Sequence, residues 1–474
     1  MKKTIIPLSV FLLAFLAFTL TAKSAVQGQC NAYNTTNIVI YTDDSTKAMP
    51  WKVQIEAATG MEVHVFDFGG APARSKQAVI HFHTNNNLAE LQPKAVFFQI
   101  GCDGVADTDD RYDQLLFDYP VADVCTLTGK NARHKRMAVS KPDQDIAMDN
   151  VGGCLYFMIR ILRNVCRDAR VFLLPPTTEG ETADMTLCRQ IEKMSDMLCV
   201  PFVTTIDELH GYGNVLNGVK PHFGKMLILG DSYCQQRRWI NSLEKMSDVE
   251  VVNLGVTSAS MRDHFTDREK YPYSSNPVQA DCEGNHNTLA CQIPKLQRMI
   301  SGVGLLKGER SLAGWTPDII LVEGGGNDFA DSPEVEDQYW NHIRDDIRTS
   351  FAGSLAYLTK SLHATYPDAQ IFIVVSAGLY YGHTDKPFEY MEKARQQRKA
   401  AQMLGFPTIN WDKDCRLSFI FNNSAGTGDG SPQKPFRYNA VTDETIDLLH
   451  PNDYGAQFLA ESAIYWISRF LGGV

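Results

Sequence analysis

Positive charge is in short supply in this chain: 45 Lys and Arg face 55 Asp and Glu, a formal net charge of −10. An acidic surface repels a phosphate backbone instead of neutralising it, which argues against nucleic acid as a partner. Eleven cysteines are present, but no pair of Cys-x-x-Cys motifs, so a structural zinc site has no support. Beyond the N-terminal segment no stretch is apolar enough to span a bilayer. Low-complexity tracts are absent, and the 34 Gly and 21 Pro are ordinary frequencies, which excludes collagen-like or linker-dominated architecture. A globular chain remains: 474 residues, 44% hydrophobic, enough for two or three domains of roughly 150 residues each.

The N-terminus reads Met1-Lys2-Lys3, then an apolar stretch from Thr4 to Thr21, then Ala22-Lys23-Ser24. This is the three-part form of a secretory signal peptide, so residues 1–24 are set aside from the fold and the mature chain is expected to be secreted or periplasmic. Lipid attachment at Cys30 would want a small residue just before it, where Gln29 stands, and is not favoured. In an oxidising compartment Cys282 and Cys291, which bracket a polar loop, form the pair expected to be a disulfide. The odd cysteine count leaves at least one thiol unpaired unless chains pair.

In the C-terminal half, short apolar runs occur at Met226–Leu229, Val249–Leu254, Ile319–Val322, Ile371–Val375 and Thr408–Ile409, separated by segments long enough for crossover helices. This alternation predicts a parallel, doubly wound sheet. Leu459, Ala463, Ile467 and Phe470 recur at helical spacing and predict a last helix. The N-terminal half repeats the pattern in order. Ile38–Asp43 with Trp51 matches Met226–Asp231 with Trp239, and Pro93–Asp107 matches Pro317–Asp331, both without a gap. Asp168–Phe172 matches Asp368–Phe372, and Met197-Leu198 with Pro201 matches Met403-Leu404 with Pro407. Two tandem three-layer α/β/α domains are therefore expected, over residues 31–215 and 225–474, with a linker-like boundary near Gly211–Gly224.

Chemistry-bearing residues gather at predicted strand ends in the second half, the edge where open α/β sheets build their sites. Strand Met226–Leu229 runs into Gly230-Asp231-Ser232. A serine hydroxyl needs a base, and the base needs an orienting group; Asp447 and His450, in Asp-x-x-His, supply both. An oxyanion hole needs donors where negative charge develops. Asn327, in Gly-Gly-Gly-Asn-Asp, offers a side-chain amide, and the turn Gly255–Ser258 offers backbone N–H groups. The glycine-rich loop lacks the Lys-Ser/Thr of a phosphate-binding loop.

Taken together, Gly-Asp-Ser after the first strand, Gly after the second, Gly-x-Asn-Asp after the third and Asp-x-x-His near the C-terminus resemble the SGNH (GDSL) hydrolases. These are esterases, lipases, thioesterases and carbohydrate deacetylases with a flavodoxin-like three-layer fold. The resemblance covers about residues 225–474. It implies Ser232 as nucleophile, His450 as general base and acid, Asp447 as its orienting partner, and Asn327 with the Ser232 N–H in the oxyanion hole. The family's oxyanion glycine falls at Ser258, with Gly255 three residues earlier, and both stay candidates.

The first half lacks this equipment. Asp44 or Ser45 lies opposite Ser232, Asp103 opposite Asn327, and Pro72 near the Ser258 position. Asp207 and His210 have the Asp-x-x-His spacing but sit too early in the copy, and are read as coincidence. His81 and His83 alternate on an expected strand without further metal ligands, and Asp107, Asp109, Asp110 and Asp113 read as a solvated acidic loop. A degenerate, non-catalytic copy is expected.

The substrate class expected is an acylated carbohydrate or other small ester, with O-acetyl removal favoured. Tyr380, Tyr381 and Trp411 are candidate sugar-stacking residues on loops, with Phe436 and Tyr438 before the acid. The polar segment Thr266–Thr288 argues against long acyl chains. The alternatives are a lipase or acyl-thioesterase, and a glycan-binding protein with a vestigial triad. No metal or organic cofactor is implied, and the oligomeric state is open.

Overall fold

The computed structural model describes residues 37–109, 111, 122–123, 136–137, 146, 148–177, 185–257, 259–262, 288–328, 330–376, 389–418, 436–438 and 446–471. The chain is an α/β protein with two parallel sheets flanked by helices. The first sheet contains β1 (Asn37–Thr42), β2 (Glu62–Asp67), β3 (Ala95–Gln99) and β6 (Arg170–Leu174); the two-residue strands β4 (Ala122–Asp123) and β5 (Arg136–Met137) pair with each other. The second contains β7 (His222–Leu229), β8 (Asp248–Asn253), β9 (Ile319–Gly324), β10 (Gln370–Val375) and β11 (Thr408–Asn410). A short antiparallel pair, β12 (Phe436–Tyr438) with β13 (Ile446–Pro451), precedes the last helix, Asp453–Leu471.

Both sheets follow one winding rule. The spatial order is β2-β1-β3-β6 in the first and β8-β7-β9-β10-β11 in the second, so the chain turns back after its second strand in each. Such sheets bury both faces, and β3, β6 and β9 are buried along their whole length. The repeat extends to register. Ile38 pairs Ala95 and Ala95 pairs Arg170 in the first sheet; Met226 pairs Ile319 and Ile319 pairs Gln370 in the second. These are the positions matched by sequence. Where β11 closes the second sheet, the first keeps a single bridge, Leu173 to Phe202. Leu173 N–H donates to Pro201 O at 2.8 Å, as Ile373 N–H does to Pro407 O at 3.0 Å.

The helices that return the chain to β6 and β10 are also duplicates. Val151–Val165 is capped by Asn150 and Phe351–Thr365 by Ser350, each cap accepting from the third N–H of its helix. An aspartate accepts the first N–H in both: Asp107 from Val151 at 2.9 Å and Asp331 from Phe351 at 3.0 Å. A buried glutamine locks that aspartate's own peptide, Gln190 to Asp107 and Gln396 to Asp331, through paired hydrogen bonds. Asp107 therefore belongs to the packed interior and not to a solvated acidic loop. His81 and His83 lie in the helix Lys76–Asn85, not on a strand; alternating residues there diverge by about 200°, which removes the shared face a ligand pair needs.

The last helix joins the halves. It packs against Arg238–Met246 of its own half and His210–Leu216 of the first. Tyr465 contacts Phe172 and Tyr212, and the Arg170 guanidinium lies 4.0 Å from the Tyr465 ring centre. Buried Arg416 is forked onto Asp414, bonds Glu461 at 2.8 Å, and reaches across to Asp168 O at 3.1 Å. No helix among the described residues is long and apolar enough to cross a membrane.

Candidate active site

Strand β7 ends at Leu229 and the chain turns through Gly230-Asp231 into a helical turn, Ser232–Gln235. Asp231 caps this turn by accepting the Tyr233 N–H at 2.9 Å. Ser232 is its first residue, so its backbone N–H has no acceptor within the turn and its side chain sits at the sheet edge. Glycine at 230 is a packing necessity: a Cβ there would come 2.7 Å from Glu323 Oε2 and strike the Cys234 sulfur.

His450, on β13, places Nε2 2.8 Å from Ser232 Oγ, a hydrogen bond between residues 218 apart in sequence. The Tyr233 ring lies beside the imidazole, with centroids 5.8 Å apart. Ser232 is 5% exposed. Asp447 lies on the same strand, but its side chain is outside the described residues.

Asn327, two residues beyond the positive-φ Gly325, brings its amide to the same edge. Its Nδ2 donates to Asp231 Oδ2 at 3.2 Å and to Ala259 O at 2.9 Å, tying the loops after β7, β8 and β9 together. Asp328 strengthens that tie by accepting the Met261 and Arg262 N–H groups at 2.7 and 2.9 Å, while Arg262 reaches Asp331 at 2.6 Å. The Gly255 N–H is turned to Asn253 Oδ1 at 3.0 Å, away from an oxyanion role. Gly255 matters instead for close packing, since a Cβ would come 2.5 Å from that of Cys234. Ser258 lies outside the described residues.

A feature the sequence reading missed lies directly beneath the serine. Asp231 and Glu323 are 1% and 2% exposed, and each carboxyl group is near enough to shift the titration of the other. Glu323 Oε2 also accepts the Asp231 N–H at 3.1 Å and the Cys234 S–H at 3.4 Å. Burial, and then the Glu323 carboxylate, push the Asp231 carboxyl well above the usual range; burial also pushes Glu323 up. The Cys234 thiol is raised by burial and by both acids, so it is not a nucleophile. Glu323 was readable as an acid at the end of an otherwise apolar strand.

The sugar-stacking candidates fare differently. Trp411 is 1% exposed, donates its indole N–H to Leu459 O at 3.1 Å and packs edge-on against Trp239, so it is a core residue and not a ligand platform. Its place at a strand end suggested a loop, but the last helix covers it. Tyr380 and Tyr381 lie outside the described residues, as do the side chains of Phe436 and Tyr438. Cys291 is disulfide-bonded, and Cys282 lies outside the described residues.

No curated protein matches the chain. Among solved structures, a possible lipase from Chitinophaga pinensis DSM 2588 is 15% identical, covering 53% of this chain and 99% of its own, with a TM-score of 0.30. The acetyl xylan esterase AlAXEase is 14% identical over 50% of this chain and 96% of its own, with a TM-score of 0.27. An active site mutant of a family two carbohydrate esterase from Clostridium thermocellum is 14% identical over 54% of this chain and 66% of its own, with a TM-score of 0.30. Residues 302–398, which include Asn327 but neither Ser232 nor His450, match the family model of the GDSL-like Lipase/Acylhydrolase.

Proposed function

We propose that the second half is a serine ester hydrolase that removes short acyl groups, O-acetyl above all, from carbohydrate outside the cytoplasm. The observation that carries this reading is the 2.8 Å approach of His450 Nε2 to Ser232 Oγ, the contact that general-base activation of a serine requires. The family match over residues 302–398 supports it from a segment holding neither residue.

In this reading the Ser232 Oγ proton passes to His450 Nε2 as Oγ bonds to the acyl carbon. The developing oxyanion is received by the Ser232 N–H and by Asn327 Nδ2, whose amide turns from its resting partners. His450 then returns the proton to the departing alcohol oxygen, and water repeats the sequence on the acyl-enzyme. Asp447 orients the imidazole.

Signal-like residues 1–24 support export, and the polar segment Thr266–Thr288 supports short acyl groups over long ones. The first half is proposed to be non-catalytic. At the place of Ser232 it has Asp44, whose carboxylate caps its own helix by accepting the Thr46 N–H at 2.9 Å. At the place of Asn327 it has Asp103, paired with Arg74.

The test compares turnover of acetyl and long-chain p-nitrophenyl esters, and of acetylated against deacetylated xylan, by the parent and the Ser232→Ala variant. Serine-dependent turnover that favours acetyl is expected. A clear preference for long chains would replace the deacetylase reading with a lipase.

A further inference from the structure

The two halves differ beneath the serine turn as well as on it. In the first half, Asp43 takes the place of Asp231 and accepts two backbone N–H groups, from Gly101 and Cys102, at 3.0 and 3.1 Å. Glu323 is replaced by Gln99, which pairs in register with Thr42 and gives its amide to Lys47 O at 3.3 Å. The second acid therefore occurs only in the half that carries Ser232.

The groups facing the acid pair can be named from each surrounding element. They are Cys234 on the serine turn, Asn327 on the loop after β9 and His450 on β13. Next to the pair, Gln292 braces Gly230 through hydrogen bonds to both its N–H and its C=O, at 3.0 and 2.7 Å. Among these, His450 is the one group able to carry positive charge. Two carboxylates in mutual contact, both out of water, cannot both ionise readily. Each acid accepts two donors, Asp231 from the Tyr233 N–H and Asn327 Nδ2 and Glu323 from the Asp231 N–H and the Cys234 S–H, so neither is singled out and one proton serves the pair, while burial and the Glu323 charge raise the Asp231 carboxyl well above its usual range.

Resting on the esterase reading, we infer that Asp231 and Glu323 share a single proton and act together as positioning residues, holding the Ser232 turn while leaving the Asn327 amide free to swing to the oxyanion. A neutral Asp231 is a weak acceptor for Asn327 Nδ2, in keeping with their 3.2 Å separation. An ionised Asp231 would grip that amide and set a second negative charge behind the developing oxyanion. The pair gives the active half a device the other lacks: a donor held in place but not consumed.

Glu323→Gln tests this by turning the proton acceptor into a donor, so that Asp231 ionises. Infrared difference spectra at neutral pH, with and without ¹³C-labelled aspartate, are expected to show a protonated aspartic acid band in the parent and in Ser232→Ala, and none in Glu323→Gln. With p-nitrophenyl acetate, Glu323→Gln is expected to lose about ten-fold or more in kcat with KM within about two-fold. The parent's kcat falls at alkaline pH as the pair gives up its proton, and the variant lacks that limb. If Glu323→Gln does not fold, Asp231→Asn replaces it: the band is expected to vanish while kcat stays within about two-fold, since the amide is neutral toward Asn327 and donates to Glu323 as a protonated acid does, and a ten-fold loss would overturn the positioning role. Absence of a protonated aspartic acid band in the folded parent overturns the shared proton. A band present with kcat and its pH profile unchanged in the variant overturns the positioning role. A band that behaves as expected in a parent inert toward esters upholds the shared proton and brings down the esterase reading alone.

Discussion

The two halves of this chain are built on one backbone plan and differ where the strands end. Both wind their first four strands in the same order, in the same register, with an aspartate and a glutamine clamping the same helix N-terminus. Yet one half ends its first strand in Thr42-Asp43-Asp44 and the other in Gly230-Asp231-Ser232. The clamp is a folding requirement and is present twice. The serine, its imidazole contact, the Asn327 amide and the second buried acid belong to one half only. A sheet edge can therefore keep its architecture while the polar residues on it change, because the residues that shape the edge are not the ones that differ between the halves.

Substitutions can break that comparison at several depths. The largest expected effect on the fold comes from Arg416→Met, which strips the cation from Asp414 and Glu461 and cuts the bond to Asp168 O. Leaving buried carboxylates uncompensated costs about 3–5 kcal/mol, and calorimetry is expected to show a lower melting transition in which the halves begin to separate. Asn327→Ala is expected to keep the fold and, if Asn327 is the oxyanion donor proposed, to lose about 10²–10³ in kcat; steady-state kinetics on acetyl esters checks it. Asp107→Asn and Asp331→Asn sharpen the comparison directly. Each weakens a helix clamp by about 1–3 kcal/mol in denaturant melts, but only Asp331→Asn also slows ester turnover, because Arg262 links it to the loop carrying Asn327.

The smallest effect is electrostatic. Hydrogen bonds and charge from Arg395, with help from Lys399 against partial burial, hold the Glu336 carboxyl down at about 2. A carboxyl depressed on folding contributes stability above its unfolded value and loses it as pH falls through the folded one. Glu336→Gln is expected to lower stability by under about 1 kcal/mol near neutrality, with the difference closing between pH 4.5 and about 2 in acid-denaturation curves.

Much of this plan was legible in the residues. Continuous apolar runs located the strands of the second sheet, and the gapless matches from Ile38 and Pro93 turned out to be register equivalences. The serine and histidine were chosen by chemistry and lie in contact. Two readings failed for one physical reason: burial is a tertiary property. Asp107 looked solvated among neighbouring acids, although the match of Pro93–Asp107 to Pro317–Asp331 set it opposite Asp331, which the structure buries at the same helix N-terminus. Trp411 looked like a loop aromatic until the last helix covered it. His81 and His83 read as strand because alternation over three residues cannot distinguish a strand from one turn of helix. Glu323 is legible in sequence only as an acid ending an apolar strand; its meaning comes from Asp231, folded against it across the sheet.

On the proposed reading one half holds an activated serine and the other none. It is tested most directly by intact mass and peptide mapping after exposure to a fluorophosphonate, for the parent and for Ser232→Ala. A single adduct on the parent, mapped to Ser232, with none on the folded variant, is the predicted result. No adduct on the folded parent, or an adduct within residues 37–216, would contradict it.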